Sequence, residues 1–195
     1  LSHAGSAGLP SLNHDLVVAR VREDGAATDP ADACAVGEVG EILVRGPCMM
    51  AGYLNRPEAN AKALAHGWYH TGDLGHLDAD GYLWIRDRID YMINSGAENV
   101  YPREVEDALV EHAEVLEAAV VGEKDARWGQ VVAAYVVAKP GTVVTAAVLD
   151  AFLMQGDRLA SYKRPRSYHF VDSLPKTTSG KIQKHLLRQP DLCAA

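Results

Sequence analysis

Short apolar runs separated by polar turns dominate the first part of the chain. Leu16–Val21 and Glu41–Arg45 have the β-branched and alternating character of strands. A third strand, Tyr82–Arg86, leaves the tight turn at Asp80–Gly81. Between them, Pro57–Ala65 reads as a helix, because proline suits a first helical turn. This part is therefore predicted to be β-rich and loopy.

After Asp90 the pattern changes, and helical and strand periods alternate. The predicted order is helix, strand, strand, helix, strand and helix, which is typical of a compact α+β unit of about 100 residues. The corresponding segments are Pro102–Val110, Leu116–Val121, Val131–Val137, Thr145–Leu153 with Thr145 as its cap, Tyr168–Val171, and the short amphipathic run Ile182–Leu187. We predict an α+β fold with a boundary between residues 1–88 and residues 89–195.

Composition is that of an ordinary soluble globular protein. The chain has 195 residues, of which 48% are hydrophobic and 23% charged. No apolar run reaches the roughly 18 residues that a membrane span needs. Leu1–Gly5 lacks the basic and apolar regions of a signal peptide. Because the first residue is not Met, we expect either that the chain begins inside a longer protein or that its start has been removed.

The cysteines and histidines do not have the spacing of a structural metal site. Cys34, Cys48 and Cys193 are odd in number and far apart, and no Cys-x-x-Cys or His-x-x-x-His spacing occurs. Reduced thiols and a cytoplasmic location are therefore expected. The eight histidines are scattered, so we predict surface or core roles for them and no bound metal.

Charge is distributed unevenly along the chain. The net charge of −7 argues against nucleic acid as a partner. Residues 158–188, however, hold eight basic residues and one acid, Asp172. A local basic tract in an acidic protein favours a phosphorylated small molecule as ligand. A solvated basic face is the alternative explanation.

Lys181 ends the segment Pro175–Lys181, in which Pro, two Thr, Ser and Gly predict a turn. Such a turn would present one lysine at an exposed loop tip, where it could reach an anion.

Two further segments carry candidate chemistry. Tyr69–Asp73 is expected between a helix and a β-hairpin, with Gly72 allowing an unusual backbone angle and Asp73 able to accept hydrogen bonds from vicinal hydroxyls.

The segment after Asp87 also combines charge with small residues. Arg88 offers a rigid fork of donors to a phosphate, a ribose or a carboxylate. Ser95–Ala97 is small, so a thin ligand could pass close to the backbone there. A surface ion pair followed by an ordinary turn would explain the same residues.

Taken together, these blocks resemble the C-terminal part of the adenylate-forming superfamily, which includes acyl- and aryl-CoA synthetases, peptide-synthetase adenylation domains and luciferases. The resemblance follows the order and spacing of the family over nearly the whole chain. The matching blocks are Gly37–Ile42, Arg45–Pro47, Gly52–Leu54, Trp68–Asp73, Asp87–Asp90, Ser95–Pro102, Arg127–Gln130 and Pro175–Lys181. It implies that residues 1–88 are the β-rich remnant of the large ATP- and acyl-binding domain, followed by the mobile C-terminal domain.

The resemblance implies roles in adenylation for five residues. Asp73 would bind the ribose hydroxyls of ATP, with Tyr69 and Thr71 beside it and Arg88 assisting at the ribose and phosphates. Lys181 would bridge the substrate carboxylate and the α-phosphate. Mg²⁺ would be bound mainly by a part of the enzyme that this sequence lacks.

The resemblance also implies a hinge and a CoA site. Asp90 would be the hinge about which the C-terminal domain swings. Gly96, with Ser95, would line the pantetheine channel. In some members the CoA nucleotide is held by residues that correspond to Trp128, Tyr162, Arg164 and Arg166. The implied substrates are a carboxylic acid, ATP and CoA.

Departures from the family pattern leave alternatives open. Asn94 and Ala97 differ from many members, and the extra methyl of Ala97 would narrow the thiol channel slightly. The Ser/Thr/Gly-rich phosphate loop is absent from the sequence, so the chain alone is expected to be inactive. The leading interpretation is a portion of a fatty-acyl or aryl-acid CoA ligase. An adenylation domain that loads a carrier protein, or a non-catalytic CoA- or nucleotide-binding module, is the alternative.

Overall fold

The computed structural model describes residues 3–22, 24–156 and 158–188. The chain divides into two compact units, between Asp90 and Tyr91, where the sequence predicted a division between Arg88 and Ile89. Both units combine helices and strands, so the predicted α+β class is confirmed. No helix in the described ranges is long and apolar enough to cross a bilayer. Cys193, whose thiol was predicted to be reduced, lies outside these ranges.

The first unit is built on a four-stranded antiparallel sheet, in which the strands pair in the order of the sequence. The strands are β1 (Asp15–Ala19), β2 (Gly40–Arg45), β3 (Tyr69–Leu77) and β4 (Leu83–Arg88). Helix α1 (Pro57–Ala63) precedes β3 and has its proline in the first turn, as predicted. It ends before Ala65, because the next residues form a 3₁₀ turn in which His66 has a φ of 55°.

Residues 69–73 do not connect a helix to a hairpin, as the sequence predicted, but open strand β3 itself. The pairing of β2 with β3 passes from Leu43↔His70 to Glu41↔Leu74. Thr71 to Asp73 therefore lie opposite Ile42 alone, which makes a bulge. Gly72 permits it with a φ of 69°. The predicted unusual backbone angle is thus present, but inside a strand.

The second unit has a five-stranded sheet of order β6-β5-β8-β7, with β9 pairing parallel to β8. Its strands are β5 (Ile93–Ser95), β6 (Glu98–Val100), β7 (Val115–Asp125), β8 (Gly129–Ala138) and β9 (Ser167–Phe170). Its helices are α2 (Pro102–Val110), α3 (Ala146–Leu153) and α4 (Lys184–Leu187). The predicted order of helices and strands is confirmed, and β5 and β6 are additions too short for a periodic signal.

Strand β7 is buried on both faces. Ala118 and Val120 point into a core shared with α2 and α3, whereas Ala119 and Val121 belong to a second core with Leu187. Alternate residues of a strand point to opposite faces, so each apolar run supplies both cores. The second core matters for function, because it fixes the chain that follows Lys181.

Candidate functional site

A cleft of about 650 Å³ in the first unit is lined by the bulge of β3 and the end of β4. Tyr69, Thr71 and Arg88, all predicted to bind nucleotide, are among its lining residues. Asp90, the predicted hinge, also lines it. The Tyr53 side chain forms a hydrogen bond with Tyr69, which together with burial raises the pKa of the Tyr69 hydroxyl.

Asp73 and Arg88 are directly paired across β3 and β4. Arg88 Nη1 donates to Asp73 Oδ1 at 2.9 Å, and Nη2 donates to the Thr71 carbonyl at 3.4 Å. Each side chain keeps more than a third of its surface exposed. Within the described ranges Asp73 Oδ2 accepts no hydrogen bond, so this oxygen can accept one from a ligand hydroxyl.

A buried carboxylate that the sequence did not single out supports the bulge. Glu41 is 4% exposed, and its Oε2 lies 3.2 Å from His70 Nδ1. Its Oε1 accepts from the Gly72 N–H at 3.3 Å. The sequence signals were its place at the head of the apolar strand β2 and within the family-matching block Gly37–Ile42, neither of which indicated its buried role. Thr71 Oγ1 completes the support by donating to the Ile42 carbonyl at 2.8 Å.

Lys181 lies on a closed turn, as the sequence predicted. The Thr177 N–H donates to the Lys181 carbonyl at 2.8 Å, and the Gly180 N–H donates to the Thr177 carbonyl at 2.9 Å. Gly180 has a φ of 84°, a conformation that glycine adopts readily. The Lys181 side chain is exposed and forms no ion pair with any residue that the structure describes. The Lys181 ammonium is therefore accessible to an anionic ligand.

Five of the eight basic residues in the tract 158–188 form ion pairs with carboxylates, which leaves fewer cations to meet the phosphorylated ligand predicted from the sequence. Ion pairs join Arg158 to Glu111, Lys163 to Glu104, Arg164 to Asp150, Lys176 to Glu117 and Lys184 to Glu106. Among the described residues, Arg166 and Lys181 make no ion pair. The local excess of charge in the sequence therefore overstates the cations that are available.

Ser95, Gly96, Trp128 and Arg166 come together around one aromatic ring. Ser95 pairs with Gly129, and the Gly96 N–H donates to the Trp128 carbonyl at 3.0 Å. The Trp128 ring lies against Gly96, and the Arg166 guanidinium carbon is 5.3 Å from the ring centroid. The ring and the cation form a surface suited to a flat, negatively charged group.

The other two residues predicted to bind CoA are engaged elsewhere. Tyr162 is 43% exposed, with the Lys163 ammonium 5.6 Å from its ring centroid. Arg164 Nε lies 3.1 Å from Asp150 Oδ1 on α3. Arg164 and Arg166 nevertheless line one open depression of about 360 Å³. They can therefore meet the same ligand.

His3, Asp78 and Asp80 form a group of potential metal ligands that the sequence did not single out. The His3 ring nitrogens lie 3.2 Å from Asp78 and 3.4 Å from Asp80. Asp78 also accepts from Trp84 Nε1 at 2.9 Å and from the Tyr82 N–H, which lowers its pKa. These bonds occupy the Asp78 carboxylate, so we interpret the group as an anchor of the β3–β4 hairpin.

Comparison with known proteins identifies one family over part of the chain and CoA ligases as its relatives. Residues 104–181 match the family model of the AMP-binding enzyme C-terminal domain. The chain is 44% identical over 189 residues to a 2-succinylbenzoate–CoA ligase of Geobacillus sp. (strain WCH70), a match that covers 97% of this chain and 36% of that protein. It is 46% identical over 185 residues to a feruloyl-CoA synthase of Amycolatopsis sp., covering 95% and 36% respectively.

A solved structure shows the same fold. The o-succinylbenzoate CoA synthetase of Bacillus subtilis, in complex with its acyl-adenylate intermediate, superposes with a TM-score of 0.84 at 38% identity. The superposition covers 96% of this chain and 36% of that one. The chain thus spans about a third of the length of the relatives that it matches.

Proposed function

Because this chain belongs to the adenylate-forming enzymes, with an AMP-binding C-terminal domain over residues 104–181, we propose that it is the C-terminal portion of an AMP-forming acid–CoA ligase. The observation that carries the proposal is the exposed side chain of Lys181 on a closed turn, where its ammonium forms no ion pair with a described residue. Aryl acids are the first substrates to test, since the relatives compared above are named for succinylbenzoate and ferulate.

In the first half-reaction a carboxylate oxygen attacks the α-phosphorus of ATP, an acyl-adenylate forms, and pyrophosphate leaves. The attack brings two anions together, so a cation at the meeting point stabilises the transition state. We assign that role to Lys181. Asp73 would accept hydrogen bonds from the ribose hydroxyls through Oδ2, while its Oδ1 is oriented by Arg88.

In the second half-reaction the thiol of CoA attacks the acyl carbon, and AMP leaves. We assign the nucleotide of CoA to the surface formed by Trp128 and Arg166, with Arg164 and Tyr162 close to it in sequence. Ser95 and Gly96 would lie along the pantetheine arm. Asp90, the last residue of the first unit, would be the hinge about which the C-terminal domain swings between the two half-reactions.

The decisive test uses a protein in which this chain follows the large ATP- and acyl-binding portion that the family resemblance implies. Replacing Lys181 by Ala should slow adenylate formation by roughly 10²- to 10³-fold. Thioester formation from supplied acyl-adenylate should stay near the normal rate. Pyrophosphate exchange measures the first step and release of AMP the second. Equal losses in both steps would exclude the assigned role.

Tests on the 195-residue chain alone separate catalysis from binding. The chain lacks a phosphate loop, so pyrophosphate exchange should be absent, and exchange by the chain alone would contradict the proposal. Calorimetric titration with CoA and with AMP then distinguishes the alternatives. Binding of CoA alone would favour a binding module over a portion of a ligase.

A further inference from the structure

Lys184 is a buried cation three residues after Lys181. It is 7% exposed, and its Nζ lies 2.7 Å from Glu106 Oε1. The same ammonium lies 4.9 Å from the centroid of the Tyr91 ring. A lysine is rarely buried without a partner, and here both neighbours come from distant parts of the second unit.

Glu106 is fixed independently of this lysine. It lies on α2, and its Oε1 also accepts from the Val120 N–H of β7 at 2.6 Å. The carboxylate therefore has a set position between a helix and the central sheet. Lys184 must reach that position to keep its charge compensated, because breaking a buried ion pair is far more costly than breaking an exposed one.

The lysine on the other side of the turn is bound differently. Lys176 Nζ lies 2.6 Å from Glu117 Oε1, but 37% and 34% of the two side chains are exposed. The pair of Lys184 and Glu106 has only 9% and 16% exposed. Exposed ion pairs contribute little to stability. Of the two lysines that flank the turn, only Lys184 has a buried ion pair that can hold the turn against the rest of the second unit.

Two further contacts hold the chain after Lys181. Leu187 is buried in the second core, and its carbonyl accepts from the Tyr135 hydroxyl at 3.0 Å. The Gln183 N–H donates to the Pro175 carbonyl at 2.8 Å. The turn of Lys181 is therefore closed by its own backbone bonds and tied to the core just beyond its end.

We propose that Lys184 is a positioning residue for Lys181. Its ion pair with Glu106 holds the turn on the body of the second unit. Its contact with Tyr91 couples that turn to the first residue after the unit boundary. Lys184 does not touch the reactants. The inference rests on the proposed function, because it assigns Lys184 a role in the step that Lys181 assists.

The test compares Lys184→Met, Lys184→Arg and the matched control Lys176→Met in the protein that also carries the preceding portion. Lys184→Met should slow adenylate formation by roughly 10- to 100-fold, as expected for a small displacement of a catalytic group. Its thioester step from supplied acyl-adenylate should change by less than about 3-fold. Lys184→Arg keeps the pair with Glu106 and should recover most of the rate. Lys176→Met should leave both steps near normal.

A double variant guards against simple misfolding. Lys184→Met with Glu106→Gln removes both charges, so it should fold at least as well as the single variant yet remain slow in adenylate formation. Normal adenylate formation in a folded Lys184→Met or double variant would overturn the proposal, as would an equal loss in both steps.

Hydrogen exchange separates this inference from the proposed function. In Lys184→Met the Thr177, Gly180 and Gln183 amides should exchange roughly 10-fold faster or more, with no such change in Lys176→Met. If Lys181→Ala leaves adenylate formation unchanged, the proposed function fails, and the exchange result still decides whether Lys184 holds the turn. Unchanged exchange at these amides refutes the positioning role.

Discussion

The ring of Trp128 occupies the space that a side chain at Gly96 would need. A Cβ atom on Gly96 would overlap Trp128 Cε3, and the Gly96 N–H donates to the Trp128 carbonyl at 3.0 Å. The glycine is therefore required by a specific neighbour as well as by its φ of 63°. This close approach brings the β5–β6 hairpin onto the residue assigned to the CoA nucleotide.

Gly96→Ala should destabilise the chain more than an equivalent change elsewhere. A left-handed alanine costs about 1–2 kcal/mol, and overpacking against the ring adds about 1–3 kcal/mol. Gly141→Ala is the matched control, since Gly141 has a φ of 78° and nothing within 4 Å of its Cβ position. Urea unfolding compares the two variants. Equal decreases in unfolding free energy for the two variants would mean that the Trp128 ring can shift to accommodate the added methyl group at little cost.

Ala97→Gly should stabilise the same hairpin. Ala97 has a φ of 69°, which disfavours any residue with a Cβ. Removing the methyl relieves about 1–2 kcal/mol of backbone strain in the folded state. Glycine also gives the unfolded chain more conformational freedom, which lowers the stability by about 0.4–1 kcal/mol. The difference between these two effects gives an expected net gain of about 0–1.6 kcal/mol in the free energy of unfolding. A loss of stability would show that the methyl makes useful contacts.

Asp73→Asn should weaken nucleotide binding without breaking the contact with Arg88. The asparagine carbonyl can still accept from Arg88 Nη1, whereas its NH₂ group cannot accept a ribose hydroxyl. The loss of about one charge-assisted hydrogen bond corresponds to roughly 10-fold in AMP affinity. Calorimetry on the ligase described above measures it. Asp15→Asn, at the exposed pair with Arg45, is the control and should bind AMP normally.

The Tyr168 hydroxyl offers a contrast with that of Tyr135. Within the described residues the buried Tyr168 hydroxyl has no hydrogen-bond partner, and burial raises its pKa above the ordinary range. Tyr168→Phe should therefore be neutral or stabilising by up to about 1 kcal/mol. Tyr135→Phe removes the bond to the Leu187 carbonyl and should cost about 1–2 kcal/mol. Urea unfolding of both variants checks the order, and the reverse order would contradict it.

The free energy of unfolding should fall as the pH is lowered from 7.5 to 5, because His76 is harder to protonate in the folded state than in the unfolded state. Burial, with help from Arg86, holds the pKa of His76 below its ordinary value of 6.5. The unfolded state then binds the proton more readily, so this contribution is complete above pH 6.5 and is lost below it. His76→Phe, which keeps a ring beside Trp84, should flatten the pH dependence of unfolding. His185→Gln, on an exposed position of α4, should not.

Local chemistry made several parts of this protein predictable. The turn before Lys181 needs only Pro, Thr, Ser and Gly, and Thr145 caps α3 by accepting from the Val148 N–H. Both depend on residues a few positions apart. The strands β7 and β8 were visible as apolar runs because both of their faces are buried.

Partnerships between distant residues were not visible in the sequence. The basic tract looked like eight available cations, but Lys163, Arg164, Lys176 and Lys184 each form an ion pair with a carboxylate on another helix or strand. The bulge at Gly72 and the buried support from Glu41 were missed for the same reason, because strand pairing decides both.

The sequence by itself determined the α+β class, the order of the main elements and the identity of the exposed turn lysine, because periodicity, caps and turn chemistry act over a few residues. Only the tertiary structure decided which charges remain available, since a charge is neutralised by whatever lies within a few ångströms of it in space. Lys181 and Lys184 differ little in the sequence. One is an exposed cation and the other a buried anchor, and the fold alone makes that difference.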